Sequence, residues 1–309
     1  MRHPLLMPRD LGIAAELLAL LPLSWALPER FWPPVAIALG RAAARLAPGR
    51  TRTRVHTLES VMGTRSDLPD ARRIHLGLVA GGIEQFLQHL RELRPGGWSR
   101  RIRLVGRDHV ERALTAGSGA VLWVAPFLFG DLLPKKAFHD AGLSVTHLGI
   151  DTHGPSYSRL GTRLLNPLQV VGENRYLAER LAMSEGTELK YSRRMVHRLR
   201  ANGLVSMGCA PVGRKIVPIP LFGGRLPIAT GAPSLSLATG AALLPVFTLR
   251  SGPDRFEVVV EPPLAAAPVE SRHEAVDDLL RCFVARLESM MLAHPMQCLA
   301  WRSLRVGDS

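Results

Sequence analysis

Cysteine is scarce in this 309-residue sequence: Cys209, Cys282 and Cys298 stand far apart, with no C-x-x-C pair. That spacing excludes zinc-finger and thioredoxin-like frameworks, and it fits buried thiols in a reducing compartment. Aromatic residues make up only 6% of the chain. Nucleic-acid binders commonly interleave aromatic with basic side chains, and no such module is legible, so no nucleic-acid partner is expected. Histidines and carboxylates nowhere fall at metal-ligand spacing, so neither a metal nor another cofactor is expected. Lysine is rare too. Of 39 basic residues only Lys135, Lys136, Lys190 and Lys215 are lysines, which leaves 35 arginines.

What is present bounds the class. An apolar fraction of 47% is enough for a large core, which rules out a disordered chain. The formal net charge is +13 and the isoelectric point about 10.9. A surplus of that size favours a negatively charged partner, and arginine grips phosphate bidentately. With nucleic acid set aside, anionic membrane lipid is the expected partner.

From Leu11 to Leu27 the chain reads LGIAAELLALLPLSWAL, and a second apolar run covers Val35 to Leu46. Neither reaches the about 20 residues of a clean bilayer span, so residues 1–60 are expected to form membrane-associating helices at the interface. Trp25, Phe31 and Trp32 lie between the runs, where amphipathic rings favour the headgroup layer. Arg41, Arg45, Arg50, Arg52 and Arg54 follow, a cluster suited to an anionic leaflet. Asp10 and the lack of a convincing A-x-A site argue against a cleaved signal peptide. Two helices buried against the rest of the protein would give the same pattern.

Residues 61–309 read as one domain. A helix over 70–94 is expected to break at Gly81-Gly82. Short β-branched runs then alternate with helical stretches: 101–106, 119–126, 143–150, 203–209, 242–250 and 255–263. The alternation predicts an α/β fold with a central sheet covered by helices. Asp108 is expected to cap the first of these helices with Glu111 reaching back, and a closing amphipathic helix is expected over 270–291.

The stretch GAVLWVAPFLFGDLLPKKAFHDAG carries the most chemistry. It reads as a buried strand that stops at Pro126 and enters a helix near Asp131, and α/β sheets place ligands at such strand ends. A carboxylate at a helix start either caps it or serves in catalysis.

The order of segments VGRDHVERALTAGSGAVLWVAP…FGDLL, LRANG, VPIPLFGGRLPIATGAPSLSLATGAALLPVFTLR and HPMQCLAWRSLRV resembles the bacterial lipid A lauroyl/myristoyl acyltransferase family over most of the chain. The tail resembles the family's ending at His294, Pro295, Gln297, Trp301 and Arg302. The resemblance implies a glycerolphosphate-acyltransferase-like fold with a central mixed sheet. It also implies an acyltransferase, peripheral or monotopic on the cytoplasmic face of the inner membrane, that moves a fatty acyl group from an acyl carrier protein or coenzyme A thioester to a lipid or glycolipid hydroxyl.

The family's signature is a histidine followed five positions later by Asp or Glu. The imidazole takes the hydroxyl proton and the carboxylate orients it. Laid on this sequence the carboxylate falls on Asp131 and the histidine on Pro126, which cannot act as a base. A second departure is Gly208-Cys209-Ala210-Pro211, where the family usually carries an Asp-Gln pair after the strand at 203–209. Asp131 and a substitute base, His153, are therefore the expected catalytic pair, with His147 a weaker choice. Cys209 lacks a histidine partner and reads as a buried thiol. Phe127 and Phe129 are expected to line the acyl slot together with Leu128. Arg159, Arg163, Lys190 and Arg194 are expected to bind anionic groups, the last two on a basic stripe with His197 and Arg198 that a solvated helix face would equally explain.

Overall fold

The computed structural model describes residues 4–5, 7–63, 65–98, 100, 102–150, 156, 158–164, 166–183, 188–252 and 255–306. Helices come first: α1 (Pro8–Ala26), α2 (Trp32–Leu46), α3 (Pro48–Met62) and α4 (Ala71–Glu92). The first three all pack along α4. Trp32, Ala36 and Gly40 form the buried face of α2, and a Cβ at Gly40 would stand 3.4 Å from Val79, so the small residue sets the close approach to α4. The start of α1 is tied down by Asp10, 3% exposed, whose carboxylate accepts from the Met7 N–H at 2.7 Å and from the Ser156 hydroxyl at 2.5 Å. No helix among the described residues is long and apolar enough to cross a membrane.

The expected break in α4 does not occur, and the helix runs unbroken through Gly81-Gly82. Its glycines serve packing. A Cβ at Gly81 would lie 2.2 Å from Leu128, and one at Gly77 would lie 2.8 Å from Met296. A helical glycine costs about 1 kcal/mol relative to alanine, which these close approaches offset. At its far end Glu92, 1% exposed, accepts from the Trp98 N–H and from Tyr176 Oη.

The remainder alternates strand and helix: β1 (Arg103–Val105), α5 (Arg107–Thr115), β2 (Ala120–Val124), α6 (Leu133–Asp140), β3 (Val145–Ile150), α7 (Arg159–Leu164), α8 (Asn166–Asn174), β4 (Glu179–Met183), α9 (Glu188–Arg200) and β5 (Leu204–Gly208). There follow β6 (Ile216–Leu221), β7 (Gly224–Ala229), α10 (Gly231–Thr239), β8 (Ala242–Gly252), β9 (Arg255–Val260), α11 (Arg272–Ala293) and β10 (Arg305–Val306). Seven strands form one mixed sheet in the order β1-β9-β8-β2-β5-β3-β4. Its pairs are parallel except β8 with β9. Every residue of β2 is buried, as a central parallel strand between two helical layers requires. Successive side chains alternate faces, so Trp123 stacks on Phe283 of α11 at 3.9 Å while its neighbours Leu122 and Val124 face the opposite layer.

Two local expectations are corrected. Gly106, in the left-handed region at φ 76°, precedes α5 in place of an Asp108 cap; Asp108 and Glu111 instead pair with Arg112 and Arg107 on the exposed surface. The stretch GRKIVPIPLFGGR (213–225), whose prolines and glycines read as a loop, instead belongs to the β6–β7 hairpin, with β10 completing a small antiparallel sheet. Its prolines are tolerated because β6 is an edge strand and β10 pairs β7 only at Gly224 and Arg225, short of Pro227.

Candidate active site at the end of strand β2

Beyond Val124 the chain leaves the sheet and is clasped by its own C-terminal segment. The Leu299 N–H donates to the Pro126 carbonyl at 2.6 Å, and the Leu128 N–H donates to the Gln297 carbonyl at 2.8 Å. Gln297 also brackets β8, accepting from the Arg250 N–H and donating to its carbonyl. The tail that carries the family-like motif thus holds the end of β2 in place.

A tight turn then presents Asp131. Phe129 sits at φ 64°, a left-handed conformation that costs a bulky residue of order 1–3 kcal/mol unless its surroundings impose it. Gln85 of α4 supplies that constraint. Its Oε1 accepts from the Phe129 N–H at 2.8 Å, which orients the amide so that Nε2 donates to Asp131 Oδ2 at 3.2 Å. Helix α6 begins two residues later with Leu132 as its N-cap and no side-chain cap bond. Asp131 is therefore not a helix cap. Its carboxylate is half-buried and held from α4, and Oδ1 has no hydrogen-bond partner among the described residues.

Behind the turn lies a buried charge network. Lys135, 5% exposed, donates to the Asp131 carbonyl at 2.5 Å and to Glu173 at 2.6 Å, and Glu173 also accepts from Arg180 at 2.9 Å. Arg180 is in register with His147 on the neighbouring strand. His147 Nδ1 is 2.8 Å from the Ser206 hydroxyl, so this imidazole is engaged within the sheet, on the face that carries the network. The sequence gives no sign of Gln85 as the holder of Asp131, because a glutamine in an amphipathic helix carries no motif.

The remaining expected residues are placed as follows. His153 lies outside the described residues. Ser156 and Ser158 are fully buried and bonded to each other and to Asp10, so they anchor α1. Phe127 and Phe129 are each 2% exposed, their rings edge-on to Phe247 and Phe256, and both belong to the core. The void bordered by Phe129, Phe256, Trp98 and Gln88 is about 10 Å³, room for about one water and no acyl chain. Arg159 and Arg163 are exposed on α7. On α9, Lys190 is exposed, whereas Arg194 and Arg198 share the single carboxylate of Glu179, which offsets one charge of the expected basic stripe. Burial pushes the Cys209 thiol up to about 12, which leaves it protonated and a poor nucleophile. Among the described residues no three His, Cys, Asp or Glu side chains gather as metal ligands.

A family model described as bacterial lipid A biosynthesis acyltransferase matches residues 3–299. The solved structure of the 1-acyl-sn-glycerophosphate (LPA) acyltransferase PlsC from Thermotoga maritima is 13% identical, with a TM-score of 0.37 over 86% of this chain and 98% of that one. No curated protein matches the sequence.

Proposed function

Since the chain belongs to the bacterial lipid A biosynthesis acyltransferase family, we propose that it works at a bilayer surface and transfers a fatty acyl group from an acyl carrier protein or coenzyme A thioester to a lipid or glycolipid hydroxyl. One observation about α4 carries this reading: the helix joins an apolar outer face to the strand-end carboxylate. On one side it holds α1, whose Leu11, Ala15, Leu18, Pro22 and Trp25 form an exposed apolar stripe at helical spacing, with Trp25 Nε1 bonded to the Leu90 carbonyl at 2.9 Å. On the other, Gln85 holds Asp131. A stripe of this kind suits a helix lying in the headgroup layer, and the cytoplasmic face of the inner membrane is where a thioester donor meets it.

In this mechanism Asp131 orients the base that takes the acceptor proton, His153 is that base in place of position 126, and exposed Arg159, Arg163 and Lys190 draw in anionic groups of donor or acceptor, while Arg194 is held by Glu179. The acyl chain runs outside the Phe127 and Phe129 pair, which stays in the core. A second reading is favoured by Pro126 itself, which has no proton to move: a family member that binds lipid without transfer. Incubating the protein with acyl-carrier-protein thioesters and a membrane lipid extract separates the two. Turnover that falls by about 10²-fold or more in both Asp131→Asn and His153→Ala is expected. Turnover unchanged in both variants overturns the mechanism, and lipid binding with no thioester consumed by the wild type selects the second reading.

A further inference from the structure

Ten residues before Gln85 on the same helix, about 15 Å along its axis, His75 opens onto a cavity of about 320 Å³ enclosed by α2, α3, α4 and the turn at 299–302. Arg50 and Arg54 of α3 line it together with Arg302 of the turn, and no carboxylate does. Arg302 Nη2 donates to the Leu78 carbonyl at 3.0 Å, and none of the three guanidinium groups shares an ion pair among the described residues. Arg194 and Arg198, by contrast, are matched by Glu179. Here burial and the neighbouring Arg54 charge both hold Arg302 below the usual arginine pKa, and burial with the charges of Arg302 and Arg54 holds His75 below the usual histidine value.

Cations gathered against an apolar wall with no counter-charge repel one another, Arg302 also loses hydration, and an anion offsets both costs. The wall includes Leu58, Leu78 and Trp301, so the anion that fits carries apolar carbon next to its charge. Leu39, Ala42, Ala43 and Leu46 form an exposed stripe on α2, and Ala43 is also part of the cavity wall. The cavity therefore opens beside an apolar surface. At about 320 Å³ it holds a headgroup and the first few carbons of a chain, not a whole lipid.

We propose that this cavity binds the phosphate of an anionic membrane phospholipid, with Arg50, Arg54 and Arg302 on the phosphate oxygens and Trp301, Leu58 and Leu78 against the adjoining carbons. It is a lipid site separate from the Asp131 turn. It does not rest on acyl transfer, because the test below reads binding alone.

The full chain is titrated calorimetrically with short-chain phosphatidic acid and, separately, with inorganic phosphate. It is also co-sedimented with phosphatidylcholine vesicles, with and without phosphatidic acid. Arg54→Gln and Arg50→Gln remove exposed side chains with no structural partner, and Arg281→Gln on the exposed side of α11 removes the same charge elsewhere. The expected result is binding of the short-chain lipid, weakened about tenfold or more by Arg54→Gln and by Arg50→Gln and less than twofold by Arg281→Gln. Equal losses in all three variants would mean general electrostatic attraction and overturn the site. Inorganic phosphate binding as tightly as the short-chain lipid would assign a free anion and overturn the lipid. Binding of neither probe overturns the proposal outright.

Discussion

Two layers lie against the same chain and treat apolar side chains in opposite ways. Where α11 meets the sheet, Phe283 is fully buried between Trp123 and Phe247, and the helix spends Val276, Leu279, Leu280 and Leu287 on the same contact. In the amino-terminal layer, Leu18 is 78% and Leu46 86% exposed, although α1 is the more apolar sequence. Hydrophobicity alone thus does not say which helix belongs to the core. Spacing against a partner does: α11 has an apolar face that the sheet covers, whereas α1 and α2 have apolar residues left over after α4 has covered one side of each.

The comparison is broken most forcefully at Phe283. Phe283→Ala should cost about 3–5 kcal/mol of unfolding free energy in a denaturant titration, while Leu18→Ser should change it by less than about 0.5 kcal/mol. The same Leu18→Ser should weaken co-sedimentation with lipid vesicles by about tenfold, as loss of one buried leucine side chain implies. A Leu18 variant that unfolds the protein without changing vesicle binding would reverse the assignment of α1.

Glycines sharpen the contrast at a smaller scale. Gly81→Ala drives a Cβ to within 2.2 Å of Leu128, itself 3% exposed, and should cost about 1–2 kcal/mol after the gain in helix propensity is counted. Gly12→Ala on α1 meets nothing within 4 Å and should stabilise by about 0.5–1 kcal/mol. Paired thermal melts of the two variants, moving in opposite directions, would check this.

The smallest effect is in pH. The His75 pKa is lowered in the fold by burial first and then by Arg302 and Arg54. The folded state therefore binds a proton less readily than the unfolded chain. Its contribution to stability is fully present above the ordinary histidine value of 6.5 and is lost as pH falls from there through the lowered folded value. Stability of the wild type should decline across that window more steeply than that of His75→Gln. Equal slopes would show that His75 titrates as it would in water.

Much of the α/β architecture was legible because parallel strands buried on both faces read as unbroken β-branched runs, as AVLWV and the 242–250 segment do. The hairpin at 216–229 was hidden by Pro218, Pro220 and Pro227, which local rules treat as loop signals and only an edge position makes acceptable. Strand β4, ERLAM, was hidden because its charges look like solvent exposure, yet Arg180 is drawn inward by Glu173. The place of Asp131 between strand and helix was legible from the strand-to-helix transition. Its partner Gln85 was not, since the two are 46 residues apart and only the packing of α4 brings them together. The arginines before residue 60 were visible as a cluster, but their convergence with Arg302, almost 250 positions later, is a property of the fold.

Gly77 and Gly81, one turn apart, carve a shallow trench along α4, and into it sit Met296 from the C-terminal clasp and Leu128 from the turn that carries Asp131. Neither knob can slide along the helix without colliding with the wall of its notch. The outer helices and the carboxylate are thereby geared to a common shaft, so that a shift of the one is felt by the other.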